Sequence, residues 1–316
     1  MSDKKPDRIN GILAPVLTPF GAGLLPDHKR FIDHCKWLIS NGCGITPFGT
    51  TSEGNSLSVN EKSELLDSLL NEGIDPSRVM PGTGGCSLID TVELTRNAVR
   101  HGCAGVLVLP PFYYKQITED GLFAYFSELI ERVGEDTLRV YLYHIPPVAV
   151  ICFSQSLVAR LIKRYPGAIA GMKDSSGDWA NTRLMLDSFA SDGFDVFVGS
   201  ETFLLENMRN GGRGCISATA NVNPVAIVGL YENWQSHDAE QRQQELNKVR
   251  SVFGRFPMIP ALKAAVASFT GEKAWNVVRP PLDGLTTDEI GQLMNELNAI
   301  KFRMQGNSAG DNSKAE

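Results

Sequence analysis

RVYLYHIPPVAVICFSQSLVARLIKRYPGAIAGMKDSS, residues 139–176, reads as a strand, a helix and a strand in succession. It opens on the apolar run RVYLYHIP (139–146), passes through the helical pattern SQSLVARLIKRYPG (154–167), and ends on a second apolar run, AIAGMKDSS (168–176). The runs are continuous rather than alternating, which marks strands buried on both faces of a parallel sheet. The unit recurs on either side. Upstream, GILAPVLTPF (11–20), GITPFGT (44–50), RVMPGTGG (78–85) and GVLVLPPF (105–112) each precede an amphipathic stretch: 27–42, 60–73, 88–102 and 120–134. Downstream, AIAGMKDSS precedes DWANTRLMLDSFAS (178–191), and DVFVGSE (195–201) and GCISATAN (214–221) precede 202–212 and 223–235.

Eight strand–helix units in about 235 residues predict an α/β protein, a (β/α)8 TIM barrel over 11–235. The rival, an open doubly wound sheet, is disfavoured because no GxGxxG opens a helix. Residues 1–10 read as a polar N-terminal arm, 236–304 as a C-terminal helical extension, and 305–316 as a disordered tail. The net charge of −6, from 30 Lys+Arg and 36 Asp+Glu, argues against nucleic-acid binding. No apolar run spans a membrane and no secretory signal is visible, so a cytoplasmic protein is expected. Six scattered cysteines without a CxxC pair read as reduced thiols. No metal-ligand spacing appears among the histidines, and PGTGG (81–85) reads as a tight turn rather than a phosphate cradle.

A barrel of this kind carries its site at the C-terminal ends of its strands. Lys173 ends the run AIAGM. A lysine amine held away from water favours its neutral form, a nucleophile that makes a Schiff base with a carbonyl. The bland alternative pairs it with Asp174 or carries it to solvent. Tyr143 ends the neighbouring run and suits proton transfer, or merely a half-buried hydroxyl. Thr50 and Thr51 suit a carboxylate, or the bracing of a turn. His144, Ser175, Ser200 and Glu201, at the same strand ends, are candidate substrate contacts.

Taken in order, GILAPVLTPF, FGTTSEGNSLSVNEK, VLVLPPFYYK, YLYHIP, GMKDSSGD and GGRGCISATANV resemble the dihydrodipicolinate synthase and N-acetylneuraminate lyase superfamily from about residue 11 to 300. The resemblance implies a homotetramer, a dimer of dimers, that takes a small 2-oxo acid and an aldehyde and needs no cofactor beyond a covalent lysine Schiff base. By position, Lys173 is that lysine and Tyr143 the proton-relay tyrosine. Thr50 and Thr51 match the family's threonine pair, the first for the relay and the second for the 2-oxo acid carboxylate. Tyr113 matches a tyrosine that completes the relay in a neighbouring subunit, and Ile216 a residue whose backbone lies against pyruvate.

Three positions depart from the pattern. Ser52 replaces a glycine and His144 an asparagine. Val148 stands where the synthases carry an arginine that clamps the carboxylate of aspartate semialdehyde. Valine offers that carboxylate no charge-assisted partner, so a different aldehyde is expected. The leading expectation is an aldolase of 4-hydroxy-2-oxo acids, either 2-keto-3-deoxy sugar acids or the 4-hydroxy-2-oxoglutarate type. The alternatives are 4-hydroxy-tetrahydrodipicolinate synthase, a 2-oxo acid dehydratase or deaminase, and a non-catalytic 2-oxo acid binding protein.

Overall fold

Prolines keep the strands of this protein short. The structure, a computed structural model, describes residues 8–305; most of the expected arm and nearly all of the expected tail lie outside them. In chain order the elements are β1 (Gly11–Ala14), α1 (His28–Ser40), β2 (Gly44–Ile45), α2 (Val59–Asn71), α3 (Leu88–Arg100), β3 (Val106–Val108), α4 (Glu119–Val133), β4 (Val140–His144), α5 (Pro146–Ala149), α6 (Gln155–Arg164), β5 (Ile169–Asp174), α7 (Trp179–Phe189), β6 (Asp195–Val198), α8 (Leu204–Arg209), β7 (Gly214–Ile216), α9 (Pro224–Glu232), α10 (Ala239–Phe253), α11 (Met258–Thr270) and α12 (Thr287–Ala299). Pro15, Pro47 and Pro110 follow the ends of β1, β2 and β3, where a missing N–H closes the ladder. Side chains of Asp27, Ser87, Thr118, Ser154 and Asp178 cap the helices behind them, and Ser58 and Thr286 form full capping boxes.

The strands make one parallel sheet in the order β2-β1-β7-β6-β5-β4-β3. The strand expected over 78–85 is instead an irregular extended segment. It nevertheless joins the two edges of the sheet. Met80 N donates to Ile45 O at 2.9 Å and Gly82 N to Pro47 O at 2.7 Å. On its other side, Leu107 N donates to Pro81 O at 2.9 Å and Thr83 N to Leu107 O at 3.0 Å. Pro81 has no N–H to give towards β3, and Pro47 none to give towards this segment, so two isolated parallel bridges (Ile45 with Val79, Gly82 with Leu107) stand in place of a ladder.

Side chains from around this curled sheet fill its inside: Leu13, Met80, Leu107, Tyr141, Phe197 and Ile216. Its N-terminal end is closed by Asp195, which pairs with Arg8 at 3.4 Å and Arg213 at 3.1 Å and accepts from Tyr141 Oη at 3.0 Å. Gly171 makes the room, since a Cβ there would lie 2.2 Å from Asp195 O. A larger apolar layer packs the sheet against its helices. The C-terminal helices α10, α11 and α12 form their own core around Phe253, Leu262, Val266 and Leu293, joined by Leu17 and Val222. Among the described residues no helix is long and apolar enough to cross a membrane.

His34 on α1 is buried between Trp37 and Trp275, and its Nε2 donates to Asn221 Oδ1 at 3.1 Å. Burial pulls its pKa down to about 4. The folded chain therefore binds fewer protons here than the unfolded chain, and stability falls as pH falls from about 6.5 towards 4. The loss expected from this group is about 3 kcal/mol at pH 4. Urea unfolding at pH 7 and pH 4 checks it: the His34→Gln variant should show a smaller pH dependence than the parent, and an equal one would discount the role of His34.

Candidate active site

The β4–β5 pairing slips by one residue between Val140 and Tyr141. Val140 faces Ile169, yet Tyr141 faces Gly171, so β5 carries one extra residue there. Beyond the slip, Tyr143 lies opposite Lys173. Because successive side chains alternate between faces, both point into the ring. Lys173 is 4% exposed, and its Nζ lies 3.4 Å from Tyr143 Oη and 4.4 Å from the centre of that ring. Tyr143 Oη in turn meets Thr50 Oγ1 at 3.2 Å. Amine, phenol and hydroxyl thus stand in a line from β5 to the loop after β2.

They open on a cavity of about 640 Å³. Thr51, Ser175, Ser200 and Ile216 lie on its wall with Lys173, Tyr143 and Thr50. Val148 and Pro147 line it too, on the short α5 that the sequence reading did not foresee. Asp174 lines it next to the lysine, but its carboxylate is occupied by Ser176 N, Asn181 Nδ2 and Thr182 Oγ1 at 2.7–2.9 Å. The bland pairing of Lys173 with Asp174 is therefore absent among the described residues. None of their His, Cys, Asp and Glu side chains cluster to hold a metal ion.

Three expected site residues fall elsewhere. His144 is buried off the wall, and its Nδ1 accepts from Phe153 N at 3.1 Å. That bond ties down the 145–153 connection and leaves the proton on Nε2; burial lowers the pKa of the ring. Glu201 is 1% exposed behind the wall, where it accepts from the hydroxyls of Ser217 and Thr219. Tyr113 is 72% exposed and edge-on to Tyr114, away from its own chain's cavity. The sequence reading missed Arg250 of α10, which lines the cavity with Pro257, Met258, Ile259 and Pro260. Its signal was position: Gln243, Leu246, Arg250 and Phe253 recur at the spacing of one helical face.

A parallel ring with a buried lysine and tyrosine at the C-terminal ends of adjacent strands is the architecture of a class I lyase. The chain belongs to the dihydrodipicolinate synthetase family, which matches residues 8–300, and it is an enzyme of the lyase and aldolase type. It is 33% identical over 286 residues to an uncharacterized DapA-like lyase of Chloroflexus aurantiacus, covering 90% of this chain and 94% of that one. The crystal structure of dihydrodipicolinate synthase from Agrobacterium tumefaciens superposes with a TM-score of 0.86 at 32% identity, covering 93% of this chain and 100% of the other. YagE of Escherichia coli, a member of the dihydrodipicolinic acid synthase family solved in complex with pyruvate, gives 0.84 at 27% identity, covering 93% and 99%.

The loop that carries Thr50 and Thr51 is fixed from behind. Phe48 and Glu53 have left-handed backbones, φ 66° and 55°, and Thr18 Oγ1 donates to Ser52 O at 2.7 Å. The Glu53 carboxylate then accepts from Lys263 Nζ of α11 and from Arg279 N at 2.8 Å. Both ionic side chains are fully buried, and Lys263 lies 4.5 Å over the Phe20 ring. Burial lowers the Lys263 pKa to about 8, against the opposing pull of Glu53. Removing one partner strands a buried charge, so Glu53→Ala should lower stability by about 3–5 kcal/mol. Replacing both, as Glu53→Ala with Lys263→Met, should recover part of that loss. Denaturant unfolding of the single and double variants measures the difference, and strictly additive losses would rule out coupling.

Proposed function

We propose that this chain is a (β/α)8-barrel Schiff-base aldolase that cleaves a 4-hydroxy-2-oxo acid to pyruvate and an aldehyde, or joins the two. The observation that carries this reading is the line Lys173 Nζ, Tyr143 Oη, Thr50 Oγ1, with separations of 3.4 and 3.2 Å, at the floor of the cavity. The Lys173 amine adds to the C2 carbonyl and water leaves, giving an iminium. Tyr143, backed by Thr50, takes the proton of the C4 hydroxyl. The C3–C4 bond breaks, its electron pair passes into the enamine, and the aldehyde departs. Protonation at C3 and hydrolysis return pyruvate and the free lysine. Thr51, with the backbone beside Ile216, receives the 2-oxo acid carboxylate.

The reading includes a homotetramer in the cytoplasm, in which the exposed Tyr113 reaches the relay of a second copy. No cofactor is needed, because the iminium is itself the electron sink. Several relatives named 4-hydroxy-tetrahydrodipicolinate synthase favour condensation of pyruvate with aspartate semialdehyde as the second reading. Val148 weighs against it: the side chain is 58% exposed at the cavity wall and offers no hydrogen bond to a carboxylate.

Pyruvate with borohydride should leave a reduced adduct on Lys173, seen by peptide mass spectrometry, and Lys173→Arg should abolish it. Tyr143→Phe should lower kcat by about 10²–10⁴-fold. An unmodified Lys173 in a folded, pyruvate-treated enzyme would overturn the mechanism.

A further inference from the structure

The cavity has a second cation, and the mechanism does not use it. Besides Lys173, Arg250 is the cationic side chain on its wall. Helix α10 brings it there. Gln243, two turns earlier on the same face, donates to Glu201 O at 2.9 Å and accepts from Leu205 N at 3.0 Å, which pins α10 against the segment after β6. Arg250 is only about a quarter exposed, 25% of its side chain, and its one ionic contact is Glu201, 3.6 Å from Nη1. That is beyond hydrogen-bond length, and Nη1 is buried without a hydrogen-bond partner. Glu201 is meanwhile satisfied by Ser217 and Thr219. Arg250 therefore donates no hydrogen bond to any described residue.

A guanidinium without a hydrogen-bond partner at the edge of a cavity is suited to a carboxylate, which it grips with two parallel N–H donors. The 2-oxo carboxylate already has the threonine loop, which meets Tyr143 of β4, whereas α10 is pinned to the segment after β6, on the other flank of β5. The same wall carries the apolar side chains of Phe203, Pro257, Met258, Ile259 and Leu282 beside the hydroxyls of Ser175, Ser176, Ser200 and Thr202. A short carbon chain ending in an acid would find both an apolar wall and an ion there.

We infer that Arg250 binds a second carboxylate of the substrate, so that the enzyme acts on 4-hydroxy-2-oxo dicarboxylic acids and its aldehyde carries an acid group. The inference rests on the aldolase reading above and names its substrate class. Arg250 here sets specificity, in place of an arginine on the loop where Val148 stands.

The test separates the two claims. Borohydride trapping with pyruvate reports on Lys173 alone. Calorimetric titration with 2-oxoadipate and with 2-oxohexanoate, which differ by the distal carboxylate, reports on Arg250. The parent enzyme should prefer the diacid by about 10- to 100-fold. R250M should erase that preference and R250K retain part of it, while pyruvate trapping stays unchanged in both. A parent enzyme without the preference, a preference that survives R250M, or an R250M variant that weakens pyruvate, diacid and monoacid alike would each overturn the assignment. The last would show that Arg250 only supports Glu201.

Discussion

The one-residue slip between β4 and β5 is the constraint on which the site depends. Without it, the register set by Val140 and Ile169 would continue, and Tyr143 would face Met172. A one-residue change of register moves every later side chain to the other face. Lys173 would then leave the cavity for the face that packs against the helices. The extra residue falls where Ala170 and Gly171 are small, and Gly171 tolerates the close approach of the Asp195 backbone. The plug at the closed end of the ring and the Lys173 amine at its open end are thus set by the same few residues of β5.

Helices were the legible part of the fold. Their apolar spacing and their Ser, Thr and Asp caps lie within the chain segment that forms them, and the observed bounds fall inside the expected ones to within a residue or so. Strands were legible as runs but not in length, because a ladder also depends on which neighbour supplies a donor. RVMPGTGG shows this. Its apolar start suggests a strand, its proline removes a donor, and only the two neighbouring edges reveal that the segment still bridges them.

The site divides along the same line. Lys173 and Tyr143 are readable because each ends an apolar run, and strand ends in such a ring converge. Glu201 ends a run as well, but a serine and a threonine three-dimensionally adjacent to it enclose the carboxylate. Arg250 and Lys263 sit on helices that pattern alone treats as an appendage. Lys263 did carry a signal: IPALKAAVASF is apolar apart from that one charge, and a lone charge in an apolar stretch asks for a buried partner. That the partner is Glu53, 210 positions away, was not written in either segment.

The buried pair of Glu53 and Lys263 also bears on modularity. It crosses the line at which the sequence divides the ring from the helices after it. A chain trimmed at that line would keep every strand and Lys173, yet would leave a carboxylate in an apolar setting behind the threonine loop. The C-terminal helices are therefore no optional accessory to a self-sufficient ring. Recombination or domain shuffling that exchanges them must carry a matching cation, and a lineage that loses one charge is pressed to lose the other.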